Sequence, residues 1–342
     1  MDVTALRLEH FRNQPDRKLT LAPKTIITGD NGSGKTSVLE AIRVVSVGKS
    51  FRTSKIEDLT EFDQPYLRVS LTAKSKKYEF FYGNQFSEDP SVERRLTVGG
   101  KPITYMEFLG MLPSVSFVPK DVDIITEQPS LRRQFIDGIL WQSDPEFRRN
   151  QIDYNQVLRE RSQLLFFLKI NRASIDELQP WDELLLNLAQ KIRRAREEFV
   201  KFATATIKEL SDTLPGKIAV ELSMEVSADT MADLQQQEIR LGHNLFGPHR
   251  DDLKILTNDR LARRFASRGQ ARSTIALLKA IEAKYLERQI ETTPIILLDD
   301  LVSELDEENV DWLFSIYGDK FQLIATSVKK LNAFKGWEEL KI

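Results

Sequence analysis

The octet Gly29-Asp30-Asn31-Gly32-Ser33-Gly34-Lys35-Thr36 fits the pattern G-x-x-x-x-G-K-[S/T]. What constrains the fold is the change of period across it. Before it, Thr25-Ile26-Ile27-Thr28 reads as a strand. After it, Val38, Leu39, Ala41, Ile42 and Val45 fall at helical spacing. A strand must therefore feed a glycine-rich loop, and the loop must open a helix. Glycines let the backbone turn tightly and approach a ligand closely. Successive N–H groups then surround a concavity suited to an anion, and the helix start adds partial positive charge. In that frame Lys35 reaches the β- and γ-phosphates of ATP and the Thr36 hydroxyl is a ligand for Mg2+.

A second segment supplies the complementary chemistry. Pro294 is followed by Ile295-Ile296-Leu297-Leu298 and then Asp299-Asp300. An apolar run without alternation is the pattern of a parallel strand buried on both faces. Asp299 at its end is placed to hold Mg2+, directly or through water. Asp300 is placed to orient or deprotonate an attacking water. Ser303-Glu304-Leu305-Asp306 follows, with Asp306 a natural N-cap for a helix from Glu307. About 30 positions before Asp299 stands Ser267-Arg268-Gly269-Gln270. Ser-x-x-Gln is a capping box, and a helix start of this kind also suits a γ-phosphate delivered by another subunit. Thr326, after the apolar run Phe321–Ala325, is a candidate to sense that phosphate.

Lys35 and Asp299 lie 264 positions apart. The sheet carrying them must therefore be built from both chain ends. Alternation over Val3–Glu9, at Leu19 and Leu21, over 66–82 and over 94–98 predicts further strands. From Pro129 to Leu214 the texture is helical, with Leu164, Leu165 and Leu168 in one cluster and Leu184, Leu185, Leu188 and Ile192 in another. Ile218–Val226 alternates again, and Ser273–Leu286 reads as a helix. The expected organisation is an ATPase lobe from 1–120 and 285–342, and a mostly helical lobe from 121–284 with Ser267–Gln270 near the junction. Nothing resembles a long heptad run.

Composition bounds the class. No apolar run approaches the roughly 18 residues that cross a bilayer, and the charged, alternating start MDVTALRLEH is unlike a secretory signal. Cysteine is absent, which excludes disulfides and thiolate metal sites and suits the cytoplasm. The net charge of −2 means that any nucleic-acid contact needs a local basic patch or a surface assembled in a dimer. Arg260, Arg263, Arg264, Arg268 and Arg272 form one such patch. Lys191, Arg193, Arg194 and Arg196 form another run, in which Arg193–Glu197 and Arg194–Glu198 are i,i+4 pairs expected on a solvated helix face.

Taken in order, the motifs resemble the RecF family of ABC-type ATPases, relatives of the SMC heads. Phe11-Arg12-Asn13 is similar to its FRN segment, and Gly34-Lys35-Thr36 with Leu39-Glu40-Ala41 to its GKTNLLEA. Gly48-Lys49-Ser50-Phe51-Arg52 matches GKSFR, and Pro129 with Arg132–Asp137 matches P-x-x-RR-x-F-x-D. Gly247-Pro248-His249-Arg250-Asp251-Asp252 matches GPHRDD, and Leu298-Asp299-Asp300 with Ser303–Asp306 matches LDD…SELD. The likeness runs nearly end to end. Three departures stand out: Arg268 where the family usually has Gln, Lys120 where it has Glu, and Ser37 after Thr36 where it has Asn. The resemblance implies an α/β ABC-type head with a mixed-sheet lobe and a largely helical second lobe. It implies an ATP-dependent homodimer in which Ser267–Gln270 meets the partner's ATP, with Arg12 near the nucleotide and Asp306 in the D-loop. It also implies slow, DNA-stimulated ATP hydrolysis and binding to duplex DNA beside single-strand gaps, with RecR and RecO as partners in loading RecA, and no membrane. Two other readings fit parts of the pattern. One is a non-hydrolysing ATP-gated DNA clamp, since Asp300 is shorter than the Glu of ABC transporters. The other is a transport ATPase subunit, which should carry His in place of Thr326.

Overall fold

The computed structural model describes residues 2–14, 16–84, 93–226, 230–329 and 332–342, and only the backbone of Val302 and Ser303. The chain divides into two units. The first runs to Val122 and includes Thr213–Lys217 and Arg272–Ile342; the second comprises Asp123–Asp212 and Ile218–Ala271. The chain thus returns to the first unit at Arg272, within the helix Arg268–Ile290, rather than at residue 285. The buried Lys279 and Glu282 of this helix explain why. Lys279 lies 3.5 Å from Asp121 and 3.2 Å from Glu282, inside the first unit.

The first unit contains two sheets of opposite character. One is antiparallel throughout, in the order Arg17–Thr20, Val3–Glu9, Tyr66–Ala73, Lys76–Gly83, Glu93–Val98, Lys101–Ile103. The other is parallel throughout, in the order Glu338–Lys341, Lys24–Thr28, Leu323–Ser327, Ile295–Leu298, Ser114–Phe117. Every residue of Ile295–Leu298 is buried, as a central parallel strand requires. The strand after Asp299 extends to Ser327, so Thr326 lies within it and not beyond its end.

The helix Lys35–Val47 packs on both sheets. Val38, Leu39, Ala41, Ile42, Val44 and Val45 share one core with Leu6, Leu8, Val69, Leu71 and Phe80 of the antiparallel sheet and with Ile27, Ile295, Leu297 and Ile324 of the parallel one. Each fully buried valine, leucine, isoleucine or phenylalanine among them contributes about 1.5–3 kcal/mol. The loop that opens this helix is thus anchored to the core of the first unit.

The second unit is built on three helices, Pro129–Ser143, Pro145–Lys169 and Gln179–Leu210, beside an antiparallel sheet in the order Arg260–Leu261, Asp252–Thr257, Val220–Glu225. Each helix has proline in its first turn, where the missing N–H costs nothing. The expected clusters form: Leu165 and Leu168 pack with Leu178, while Leu185, Leu188 and Ile192 are buried and Leu184 is not.

The basic run of the long helix departs from expectation. Only Arg194 pairs with Glu198 on the exposed face, at 3.2 Å. Arg193 instead makes a two-pronged contact with the fully buried Asp251, and the buried Arg196 does the same with Asp137. Helical spacing cannot reveal a partner 58 positions away. The same segment of chain brings His249 within 2.7 Å of the Tyr154 hydroxyl. Arg161, fully buried, bonds Asp182, Glu238 and Asn244 at once.

Two outcomes follow. Arg161→Met leaves Glu238 buried without its cation and should cost about 3–5 kcal/mol in a urea titration. Burial, then Arg250, lowers the His249 pKa to about 4. The unfolded chain takes up that proton near pH 6.5, so stability is lost as pH falls from about 6.5 to about 4, by at most about 1.4 kcal/mol per unit. His249→Gln should flatten this part of the pH–stability curve.

Candidate functional site

The glycine-rich loop ends the buried strand Lys24–Thr28 and opens the helix at Lys35. Gly34 takes φ +96°, a conformation that favours glycine, and a Cβ there would run into the Gln14 amide. That amide belongs to the frame. Gln14 Nε2 donates to the Ser33 carbonyl at 2.9 Å, and Asn13 Nδ2 donates to the Gly32 carbonyl at 3.0 Å. Lys35 Nζ donates to the carbonyls of Gly29 and Asp30, at 2.7 and 2.8 Å, which sets its charge at the centre of the loop. The Ser33 hydroxyl is buried without a protein partner.

The two distant halves of the sequence meet at Asp299. Its Oδ1 accepts from the Thr36 hydroxyl at 2.9 Å and from the Thr326 hydroxyl at 2.8 Å. Thr326 in turn accepts from the Asp300 backbone N–H at 3.0 Å. Asp300 has φ +50° and caps the short helix Leu301–Glu304, so its side chain turns out to solvent while its amide stays anchored. Burial pushes the Asp299 carboxyl pKa up, against the two hydroxyl donors, and the charge of Asp300 adds to the rise.

These groups line one cleft of about 570 Å³, together with Arg12, Asn13, Arg52 and Thr60. Arg12 is held in place there. Its Nε and Nη2 grip the fully buried Glu40 at 3.0 and 2.7 Å, and Nη1 donates to the Asp58 carbonyl at 2.7 Å. Asn13, Glu40 and Arg52 stand in segments that resemble the family's motifs, though no sequence pattern assigned them a role at the cleft; Gln14 stands in none of those segments.

A divalent cation fits this donor set. Thr36 and Asp299 present hard oxygen atoms side by side on two rigid elements, as Mg2+ prefers when phosphates and water complete its shell. Among the described residues no cluster of three or more His, Cys, Asp or Glu offers a self-sufficient metal cage.

Other candidates lie elsewhere. Ser267 and Gln270 form the capping box: Gln270 N–H donates to Ser267 Oγ at 3.2 Å and Ser267 N–H to Gln270 Oε1 at 2.9 Å. With Arg268 and Gly269 they belong to the second unit, whereas the cleft is lined by first-unit residues. The helix begins at Arg268, five residues earlier than the reading of Ser273–Leu286. Asp306 caps the helix Glu307–Tyr317, accepting from Asn309 N–H at 2.9 Å. The Ser303 side chain lies outside the described residues. Arg260, Arg263 and Arg264 are exposed, whereas Arg272 pairs with Glu304 at 3.2 Å. Among the described residues no helix is long and apolar enough to cross a membrane.

Comparison with known proteins agrees with this geometry. Residues 2–340 match the model of the RecF/RecN/SMC N-terminal domain. The DNA replication and repair protein RecF of Lachnoclostridium phytofermentans is 32% identical over 93% of this chain and 91% of its own. That of Moorella thermoacetica is 31% identical over 96% and 90%. Among solved structures, the recombination mediator protein RecF-ATPrS in the RecFOR pathway superposes with TM-score 0.88 at 29% identity, covering all of this chain and 96% of the other. The RecF-ATP form gives 0.83 at 30% identity, over 96% of this chain and 92% of the other. An Smc head bound to the C-winged helix domain of ScpA, at 0.53 and 16% identity over 97% and 90%, shares the fold.

The raised Asp299 pKa has a measurable sign. The native state holds this proton more tightly than the unfolded chain, so its contribution to stability declines as pH rises above the ordinary aspartate value of about 3.9. Asn at this position can accept the same two hydroxyl protons. Asp299→Asn should therefore be more stable than the parent at neutral pH in metal-free buffer, with the gap closing toward pH 3.

Proposed function

The chain belongs to the family of RecF and the RecN and SMC N-terminal domains, and on that footing we propose that it is an ATP-dependent DNA-repair protein of the RecF type that dimerises on DNA when it binds ATP with Mg2+. The observation that carries this reading is the bonded set Thr36–Asp299–Thr326–Asp300 closing the mouth of the phosphate loop. It joins the residues that ATP chemistry needs, drawn from opposite ends of the sequence.

In this reading the Gly29–Gly34 loop cradles the phosphates, with Asp30, Asn31, Gly32 and Ser33 offering backbone N–H groups. Lys35 exchanges its loop carbonyls for phosphate oxygens. Thr36 and Asp299 hold Mg2+, which when bound neutralises phosphate charge. Arg12, immobilised by Glu40, faces the nucleotide. Thr326 holds the Asp300 backbone in register, and the Asp300 carboxylate orients and deprotonates the attacking water. Ser267 keeps its own hydroxyl proton free while its oxygen caps the helix. With Arg268, Gly269 and Gln270 it receives the γ-phosphate held by a second copy across a two-fold axis. ATP thereby supplies differential affinity for the dimer, and slow, DNA-stimulated hydrolysis removes it. Asp306 is assigned to the D-loop by its likeness to the family's SELD segment.

DNA contact is assigned to Arg260, Arg263 and Arg264, with a lesser share for the paired Arg272. Each neutralised phosphate steepens the salt dependence of binding. The role is carried out in the cytoplasm on duplex DNA beside single-strand gaps, with RecO and RecR, in support of RecA loading. The short Asp300 side chain, exposed at its turn, favours one further reading: an ATP-gated DNA clamp that does not turn over.

Mass by light scattering, with and without ATP and Mg2+, tests the proposal. Wild type should pass from monomer to dimer, while Lys35→Met and Ser267→Arg stay monomeric. Normal dimerisation of Ser267→Arg would reduce Ser267–Gln270 to a helix cap and sink the sandwich mechanism. Asp300→Asn should dimerise yet lose turnover by roughly 100-fold or more, about 2.7 kcal/mol of transition-state stabilisation. A wild type that dimerises but never hydrolyses is the clamp.

A further inference from the structure

Phe62 and Phe265 are the most exposed large apolar side chains among the described residues, at 88% and 60%. A single exposed apolar side chain is ordinary on a protein surface, but a phenylalanine set within charges of one sign offers an apolar centre with a charged rim. Each also sits in a segment of a single charge sign. The stretch from Glu57 to Asp63 carries Glu57, Asp58, Glu61 and Asp63 and no basic residue. The stretch from Arg260 to Arg268 carries Arg260, Arg263, Arg264 and Arg268 and no acidic one. In a chain whose overall charge is nearly balanced, at −2, this segregation is local.

Their positions relative to the site are the second observation. The acidic segment is fastened to the cleft wall. Arg12 N–H donates to the Leu59 carbonyl at 2.8 Å, Arg12 Nη1 donates to the Asp58 carbonyl at 2.7 Å, Glu61 N–H donates to the His10 carbonyl at 2.8 Å, and Thr60 lines the cleft. Phe62 projects two residues beyond that wall. The basic segment leads directly into the capping box, with Phe265 two residues before Ser267. Among the described residues Glu57, Asp63, Arg260 and Arg264 enter no ion pair, so their charges are available to a partner.

We infer that the acidic Phe62 loop of one protomer docks on the basic Phe265 arm of a second copy of this chain, beside each shared nucleotide. The inference rests on the dimer reading given above and adds the surface that selects the partner; it gives Arg260 and Arg264 to the dimer contact in place of DNA, leaving Arg263 and Arg272 for phosphate contact. Complementary charge steers the encounter and penalises wrong pairings, and Arg side chains over a phenylalanine face add cation–π attraction. A symmetric dimer makes this contact twice.

Charge reversal tests it, in ATP and Mg2+ without DNA. Glu57→Arg with Asp63→Arg takes the loop from four negative charges to two of each sign; Arg260→Glu with Arg264→Glu takes the arm from four positive charges to two of each sign. Each variant alone should form the ATP-dependent dimer at least tenfold more weakly than wild type. Mixed together they should pair at least threefold more tightly than either variant alone, because one contact of the mixed dimer is then the native acidic loop on the native basic arm, and in the other the introduced arginines face the introduced glutamates. Asp63 has φ +62°, so nucleotide affinity of the monomer is measured in parallel to confirm an intact cleft. Loss of dimer without rescue in the mixture overturns the inference. So do reversed variants that dimerise as wild type does; if the arginine pair then loses only DNA affinity, the arm is a nucleic-acid surface. A wild type that remains monomeric with ATP overturns the dimer reading itself and this contact with it.

Discussion

One carboxylate organises the molecule. Asp299 accepts hydroxyl protons from Thr36 and Thr326, which arrive on two other elements of the first unit. A carboxylate in a buried place is costly unless donors surround it, so the fold must bring both threonines to it. That requirement fixes the register of the parallel sheet. Leu298 pairs with Ala325, and Ala325 with Ile26, so Asp299 and Thr326 each come one residue past the same level of the sheet. The glycine loop, the helix it opens and the Asp300 turn all take their positions from this edge.

The restraint spreads outward through charged groups that the chemistry does not consume. Glu40, fully buried on the helix behind the loop, grips Arg12 and accepts from Ser50. Arg43, one turn further on, donates to the Ser114 carbonyl at 2.5 Å, and burial lowers its pKa despite nearby Glu282 and Asp121. These are ion pairs and hydrogen bonds in a low-dielectric interior, where a lost partner leaves an uncompensated charge. The Glu40 contacts tie the cleft-lining Arg12 to the helix that follows the glycine loop.

Much of this was legible in the sequence, and the divide between what was and what was not is physical. Short-range signals read correctly: the strand–loop–helix at Gly29–Thr36, the apolar run before Asp299, the capping box at Ser267 and the N-cap at Asp306 each declare themselves within a few residues. The family resemblance added the order of the motifs, and with it the ABC-type fold. What stayed hidden depends on distance along the chain. Arg193 and Arg196 resembled a solvated helix face because their partners, Asp251 and Asp137, lie 58 and 59 positions away. Thr326 looked like a residue after a strand because nothing local says where hydrogen bonding stops. Glu40 carries a charge in an apolar helix face, and only its partners explain why it is tolerated there.

The interleaving of the parallel sheet also bears on how the protein is made. The strand Lys24–Thr28 lies between Glu338–Lys341 and Leu323–Ser327, and Val3 N–H donates to Gln322 Oε1 at 2.7 Å across 319 positions. A ribosome releases that early strand long before either neighbour exists. The second unit, complete at Ala271, has all its strands and helices in hand while the host sheet is still waiting. Vectorial synthesis therefore favours the inserted unit maturing first. The nucleotide cleft is completed only when the last strands slot in, and until then both hydrogen-bonding edges of the strand Lys24–Thr28 lack their native neighbours.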